Sequence, residues 1–251
     1  MNRINLSDDE WAHILPQLKK LPEIYIGQPE ASRQFISACL WILRSGAQWR
    51  VLPSMFGKWN SIFKRFSRWC AKGVWDKLLS HFSEASDLQD VSMDGSIIRA
   101  HACAAGAANS TAEIEALGRS KGGFGCKVHA LCDAHGMPLK FILTGGQEAE
   151  CKQAIPLLEN VKASAVLADK AYDTNEFRAW LEYRKIKAVI PPKSNRIDDI
   201  ECDYWHYKER HVIECLFGKL KHYRRIATRY EKKAINYMGM LSFSSVLLWL
   251  R

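Results

Sequence analysis

The 251-residue sequence predicts an α/β protein in which a mixed sheet flanked by helices follows an all-helical segment. Three observations carry this. Apolar residues recur at helical spacing up to about residue 85, fall into short strand-like runs from Asp90, and then alternate between helical and strand-like runs beyond Glu148. The last two patterns together describe a sheet covered on both faces.

Ser7 and Glu10 have the spacing of a capping box, and Trp11, Ile14, Leu15 and Leu18 then mark a first helix to about Leu18, with Pro16 inside it as a point of kinking. A second helix is predicted from Ala31 to Ser45, showing Phe35, Cys39 and Ile42 on one face and stopping at Gly46. After the turn LPSMFGKW, a third helix carries Trp59, Ile62, Phe63, Phe66 and Trp69 on one side, with Arg65, Arg68 and Lys72 largely on another. Its aromatic residues read as core, and its basic residues as a separate, exposed face.

Strands follow at VSMDGSIIRAH, CKVHALCD and LKFILTGG, the last two joined by a turn at Ala134 to Met137. Glu148 to Asn160 reads as a helix, AVLAD as a buried strand, Thr174 to Arg184 as a helix and KAVIPP as a strand; Tyr204 to the C-terminus reads as helical. Three strands followed by alternating helices and strands is the order of ribonuclease-H-like folds. The expected division is a helical domain at 1–85 and a catalytic domain at 86–251. The glycine-rich stretch from Ala104 to Gly125 reads as a mobile loop near the site.

At 47% hydrophobic the chain has ample material for a core, and no apolar run reaches the ~18 residues of a membrane span. The start MNRINLSDDEW lacks a signal-peptide pattern, so a cytoplasmic location and no membrane partner are expected. Eight cysteines include no CxxC pair; His101 with Cys103 and Cys126 with His129 come nearest to ligand pairs, and buried, reduced cysteine is the preferred reading over zinc. The net charge of +9 permits an anionic partner. Its distribution is more informative: Arg44 to Lys77 holds eight basic residues against one acid, Asp76, and Lys219 to Lys233 is opposed only by Glu231.

Phosphodiester chemistry on two metal ions needs hard oxygen ligands converging on cations about 4 Å apart. Asp94 lies in the first strand, out of phase with Val91, Met93 and Ile97, and Asp169 ends the apolar run Val166 to Ala168. On a helical wheel Tyr207, Arg210, Glu214 and Lys221 fall within an arc of about 60°. Plainer readings compete. Arg210 and Glu214, four apart, could be a solvated ion pair; Asp94 could be a turn residue and Asp169 a cap; Asp133 reads as a hairpin-turn residue and Asp173 as a helix cap.

The series Tyr207, Arg210, Glu214, Lys221 resembles the tyrosine-arginine-glutamate-lysine signature of transposases of the insertion-sequence four and five superfamily. Around it LPSMFGKWNSIFKRFSRW, VSMDGSIIRAH, EALGRSKGGFGCKVHALCDAHGMPLKF, ADKAYDT, AVIPPKSNR and FGKLKHYRRIATRYEK resemble successive blocks of the insertion-sequence-five branch. His211 and Cys215 depart from the pattern, and neither is a proposed ligand. The resemblance implies a DDE transposase whose catalytic metal ligands are Asp94, Asp169 and Glu214, with Mg²⁺ as cofactor and Mn²⁺ as a substitute. It implies DNA contacts by Arg210 and Lys221, supported by Tyr207, and a first domain like a helix-turn-helix module that binds terminal inverted repeats, with Arg65, Arg68 and Lys72 on its basic face. The implied partners are double-stranded DNA, as transposon ends and target, and a second copy of the chain in a homodimer or higher oligomer on DNA. The implied reaction is hydrolysis at the element ends followed by attack of the 3′-hydroxyl on target DNA. The rivals are a structure-specific nuclease on the same fold and a non-enzymatic DNA-binding remnant.

Overall fold

Both halves of the expected capping box form at the start of the chain: Ser7 Oγ accepts from the Glu10 N–H at 3.1 Å and the Glu10 carboxylate accepts from the Ser7 N–H at 2.9 Å. They open α1 (Asp8–Lys19). These contacts come from a computed structural model, which describes residues 5–251. Helix α2 (Pro29–Ser45) begins with proline in its first turn, where the missing N–H leaves no bond unmade. It ends at Gly46, whose φ of 69° is costly for any other residue and whose Cβ would lie 3.0 Å from that of Arg224. Helix α3 (Trp59–Ala71) follows as expected, and α4 (Val74–Phe82) is an additional element after the left-handed Gly73.

The sheet comprises β1 (Asp90–Arg99), β2 (Gly118–Ser120), β3 (Gly123–Cys132), β4 (Pro138–Gly145), β5 (Ala165–Leu167) and β6 (Lys187–Val189). Its order is β2-β3-β1-β5-β6, with β4 also paired to β3. β4 lies antiparallel to β3, while β5 lies parallel to both β1 and β6. This is the mixed sheet that the element order predicts. The predicted helix at 148–160 is shorter, a 3₁₀ turn at Glu150–Gln153 leading into α5 (Ala154–Leu158). Helix α6 (Asn175–Tyr183) is capped by Thr174, whose hydroxyl accepts from the Phe177 N–H, so the cap is one residue later than Asp173.

The predicted C-terminal helix is broken into α7 (Tyr204–Tyr207), a 3₁₀ turn at Lys208–Arg210, α8 (His211–Lys221), α9 (Arg224–Ala227) and α10 (Ala234–Trp249). The cause of the last break is visible. The Arg229 backbone donates to the Arg99 carbonyl and accepts from the His101 N–H, which draws residues around 229 out of helical geometry. The Arg229 side chain is fully buried and donates to the carbonyls of Glu115 and Glu231.

The chain divides into two compact units, residues 1–84, 99–115 and 220–251 in the first and 85–98 with 116–219 in the second. These differ from a linear split at residue 85. The reason is α10, which packs on α3 and α4: Phe243 meets Trp75 in a tilted ring contact with centroids 4.6 Å apart, and Trp75 in turn meets Trp69 and Phe66. In the second unit Val91, Met93, Val166 and Ala168 on one face of the sheet form a core with Leu157 of α5 and Phe177 and Leu181 of α6. No helix is long and apolar enough to cross a membrane among the described residues.

Asp173 does structural work in that unit. Its buried carboxylate receives Arg178 Nε at 2.6 Å, Arg196 Nε at 2.8 Å and the Lys193 N–H at 2.7 Å, tying the segment after β6 to α6. Burial raises its pKa, but Arg196, Arg178 and the Lys193 N–H outweigh burial and hold the carboxyl well below the usual range. A depressed carboxyl contributes stability that is full above its unfolded pKa and is lost as pH falls through the folded value. Asp173→Asn is therefore expected to cost roughly 3 kcal/mol at pH 7, since it leaves two guanidinium groups without their anion. Urea unfolding at pH 7 and at pH 3 measures this, and the gap between variant and parent should narrow in acid.

Candidate active site

The parallel pairing of β1 with β5 sets Ser92 opposite Leu167. Asp94 and Asp169 each lie two residues further along (94 − 92 and 169 − 167), so neighbouring strands deliver the two carboxylates level with each other. Asp169 then caps the 3₁₀ turn Lys170–Tyr172, its Oδ1 accepting from the Ala171 N–H at 2.8 Å. Asp94 Oδ1 accepts from the Gly95 N–H at 2.7 Å. The cap reading of Asp169 thus holds alongside a placement at the cluster.

A third carboxylate joins them, and it belongs to Glu150. One ligand oxygen each from Asp94, Glu150 and Asp169 lies within 4.8 Å of the others, the only such group of histidine, cysteine or acidic residues among the described residues. Glu150 opens the 3₁₀ turn after β4, and its Oε1 meets Lys127 Nζ at 3.2 Å. Lys127, a largely buried residue of β3, is fixed by the Glu148 carbonyl at 2.8 Å. Gly95 makes the room: a Cβ there would lie 2.8 Å from both Cγ and Oε1 of Glu150. Two signals for Glu150 were present in the sequence, the glycine directly after Asp94 and a lysine inside a largely apolar strand.

Glu214 lies outside this group. Its side chain is 61% exposed on α8 and pairs with Arg210, Nη2 to Oε1, at 2.5 Å. Arg210 also reaches Asp94, Nη1 to Oδ2, at 3.1 Å, so one guanidinium links the helix-borne glutamate to the strand-borne aspartate. The four signature residues do not share one continuous helix. Tyr207 ends α7, Arg210 lies in the 3₁₀ turn, and Glu214 and Lys221 lie on α8. Arg210 follows Tyr207 by three residues, about one turn, and its guanidinium lies over the Tyr207 ring at 5.8 Å. Tyr207 packs against Ala165, Leu167 and Val189 on the second face of the sheet. His206 on Asp90 at 2.8 Å, with Asp203 receiving Lys187 at 2.7 Å, docks α7 there.

Of the basic residues expected on the α3 surface, Arg65 is occupied by packing: its guanidinium lies 4.3 Å from the Phe35 ring centre and donates to Ser32 Oγ at 2.8 Å. Arg68 and Lys72 are exposed, with Lys72 bonded to the Glu23 carbonyl, and Lys221 is exposed at the end of α8. Asp133 is the hairpin-turn residue expected, accepting from the His135 and Met137 N–H groups at 3.0 and 2.8 Å. None of the eight cysteines is in a disulfide.

The donor set is all carboxylate oxygen, and its spread is compatible with one divalent cation, whose opposite ligands stand roughly 4.2 Å apart at Mg²⁺ bond lengths. Burial raises the Asp94 carboxyl; the Gly95 N–H and Arg210 oppose the rise and Asp169 adds to it. Burial likewise raises Glu150 against the pull of Lys127, with Asp169 and Asp94 adding to the rise. The arrangement can take up a hard cation and relieve the cost of closely spaced charge.

Residues 6–79 match the family described as "Putative transposase of IS4/5 family", and residues 86–247 match the family described as "Transposase DDE domain". The "Putative transposase for insertion sequence element IS6501" of Brucella ovis is 42% identical over 127 residues, spanning 50% of this chain and 98% of that one. The "Transposase for insertion sequence element IS1106" of Neisseria meningitidis serogroup B is 34% identical over 127 residues, 48% of this chain and 42% of that one. The crystal structure of the Mos1 mariner paired end complex with Mn, at 13% identity over 85% of this chain and 87% of that one, gives a TM-score of 0.27, too slight to carry a fold assignment.

An acid with a raised pKa stabilises the fold most below its unfolded pKa, and that contribution is lost as pH rises through the folded value. Without a cation, the site therefore stands at a net cost at neutral pH. Asp94→Asn is expected to raise the melting temperature of the cation-free chain at pH 7 and leave it nearly unchanged at pH 4. A lowered melting temperature at pH 7 would show that the Arg210 pair outweighs the burial of the charge.

Proposed function

The chain belongs to the DDE transposase family, and on that premise we propose that it binds the terminal inverted repeats of an insertion sequence, cleaves DNA at the element ends and joins the 3′-hydroxyl ends to target DNA. The observation that supports this most is the convergence of Asp94 and Asp169 from neighbouring parallel strands into a carboxylate group of cation-binding dimensions. Asp94, Asp169 and Glu214 are the proposed metal ligands, for Mg²⁺ or, in its place, Mn²⁺. Divalent cations, when bound, activate the attacking oxygen and stabilise the leaving oxygen.

The remaining steps belong to the protein. Asp94 and Asp169 hold their positions through the strand pairing and the Gly95 and Ala171 N–H groups, so they present oxygens without rearranging. Arg210 neutralises Asp94 and Glu214 here and carries a planar fork that a DNA phosphate takes up in two parallel bonds. Lys221 and the exposed Arg68 and Lys72 supply further phosphate contacts, which position DNA and do not read sequence. In the first step a water oxygen displaces the 3′ oxygen from phosphorus. In the second that 3′-hydroxyl displaces an oxygen of the target strand, an in-line displacement of the same kind, so one site serves both. Two ends must be cut and joined together, which makes a homodimer or larger assembly on DNA the expected working form.

Asp94→Asn, Asp169→Asn and Glu214→Gln are each expected to abolish cleavage of an end-containing duplex in Mg²⁺ while leaving binding to that duplex within about threefold, since binding is carried by cations and not by these acids. Normal cleavage by any one variant removes that residue from the site. Joined product in the same reaction separates a transposase from a nuclease, which yields cut ends only. Lys221→Ala should reduce the slope of log affinity against log salt by about one.

A further inference from the structure

Two features of the second unit are left over by the DDE reading. Glu150, and not Glu214, stands with Asp94 and Asp169. The Tyr172 hydroxyl, in a fully buried side chain, has no hydrogen-bond partner. Buried hydroxyls are almost always bonded, so an orphan signals a missing partner. Tyr172 ends the 3₁₀ turn that Asp169 caps, and the turn carrying Glu150 packs against that turn; burial and then the charges of Glu150, Asp94 and Asp169 push the Tyr172 hydroxyl above its usual range. The hydroxyl is close enough to feel the three charges and hydrogen-bonds to none of them.

The surroundings hold Glu150 in this position. Lys127 orients the carboxylate through Oε1, and the space its Cγ and Oε1 occupy exists only because residue 95 has no Cβ. Glu214, by contrast, is exposed and held by the guanidinium that also contacts Asp94. Arg210 would have to leave Asp94 before Glu214 could approach it, and a DNA phosphate is the anion that draws an arginine away.

We propose that, before DNA binds, Glu150 is the third carboxylate holding a divalent cation with Asp94 and Asp169, and that the Tyr172 hydroxyl donates to an oxygen in that cation's shell. Glu214 joins the site only when phosphate has taken Arg210. The proposal rests on the reading of Asp94 and Asp169 as a cation-holding pair.

The test is Mn²⁺ binding to the full chain without DNA, read by calorimetry and by the loss of the free Mn²⁺ electron-spin signal. Asp94→Asn and Glu150→Gln should each weaken binding by about tenfold or more, and Glu214→Gln should leave it within about twofold. Gly95→Ala keeps every carboxylate but pushes Glu150 aside, and it should weaken binding as Glu150→Gln does; it carries the test if Glu150→Gln does not fold. Tyr172→Phe should weaken Mn²⁺ binding while raising the melting temperature of the cation-free chain, which a purely structural tyrosine would not do. If Asp94→Asn weakens binding and Glu150→Gln and Gly95→Ala do not, the proposal fails and the aspartate pair stands. If Asp94→Asn binds normally, the reading of the pair itself fails. A wild-type chain that takes up no Mn²⁺, or a Glu214→Gln variant as weak as Asp94→Asn, also overturns the proposal.

Discussion

Three residue pairs between β1 and β5 hold the second unit's chemistry in place. Side chains alternate along each strand, so the register that sends Val91, Met93, Val166 and Ala168 into the core beneath α5 and α6 also sends Asp94 to the opposite face. A slip of one residue would exchange the faces and drive a carboxylate into the apolar cluster. The site therefore inherits its geometry from the core. Asp90 and Ser92 alternate with the core residues as Asp94 does, and Asp90 receives His206 of α7. That contact brings Tyr207 onto the sheet and Arg210 to Asp94.

Carboxylates in this unit fall into two kinds. Asp173 has a donor for each oxygen and is held well below the usual carboxylate range. Asp94 and Glu150 are held above it, because burial and neighbouring charge exceed what Arg210 and Lys127 return. The first kind is what structure alone requires. The second stores an unfavourable charge distribution, which makes sense where a stronger counter-charge is to be admitted.

Much of this was legible in the sequence, for reasons that differ by residue. The capping box at Ser7 and the glycine stop at Gly46 are local chemistry, and they form as spacing predicts. Asp94 and Asp169 could be nominated by their phase against apolar neighbours, but their meeting depends on which strands pair, and spacing alone does not state that. Glu150 escaped because it follows a strand in a stretch that reads as helix, and its partners Gly95 and Lys127 lie 55 and 23 residues away (150 − 95 and 150 − 127). The helical wheel put Tyr207, Arg210 and Glu214 on one stripe by assuming a uniform 100° step. Across the 3₁₀ turn at Lys208–Arg210 these three still meet, Arg210 lying over Tyr207 and pairing with Glu214. Nothing local in the sequence around 229 announces that its backbone bonds to residues 99 and 101.

The first unit is assembled from segments far apart in the chain, with Trp75 and Cys70 packed against α10: a Cβ on Gly239 would lie 2.4 Å from Cys70 Sγ. On the ribosome this imposes an order of events. About 150 residues separate the end of α4 from the start of α10, roughly 8 to 30 s of synthesis at ~5–20 residues per second. During that interval the aromatic face of α3 and α4 has no cover, while the second unit's strands are already emerging. A helical unit whose α3 and α4 are covered by α10 cannot close its core until α10 itself has been made.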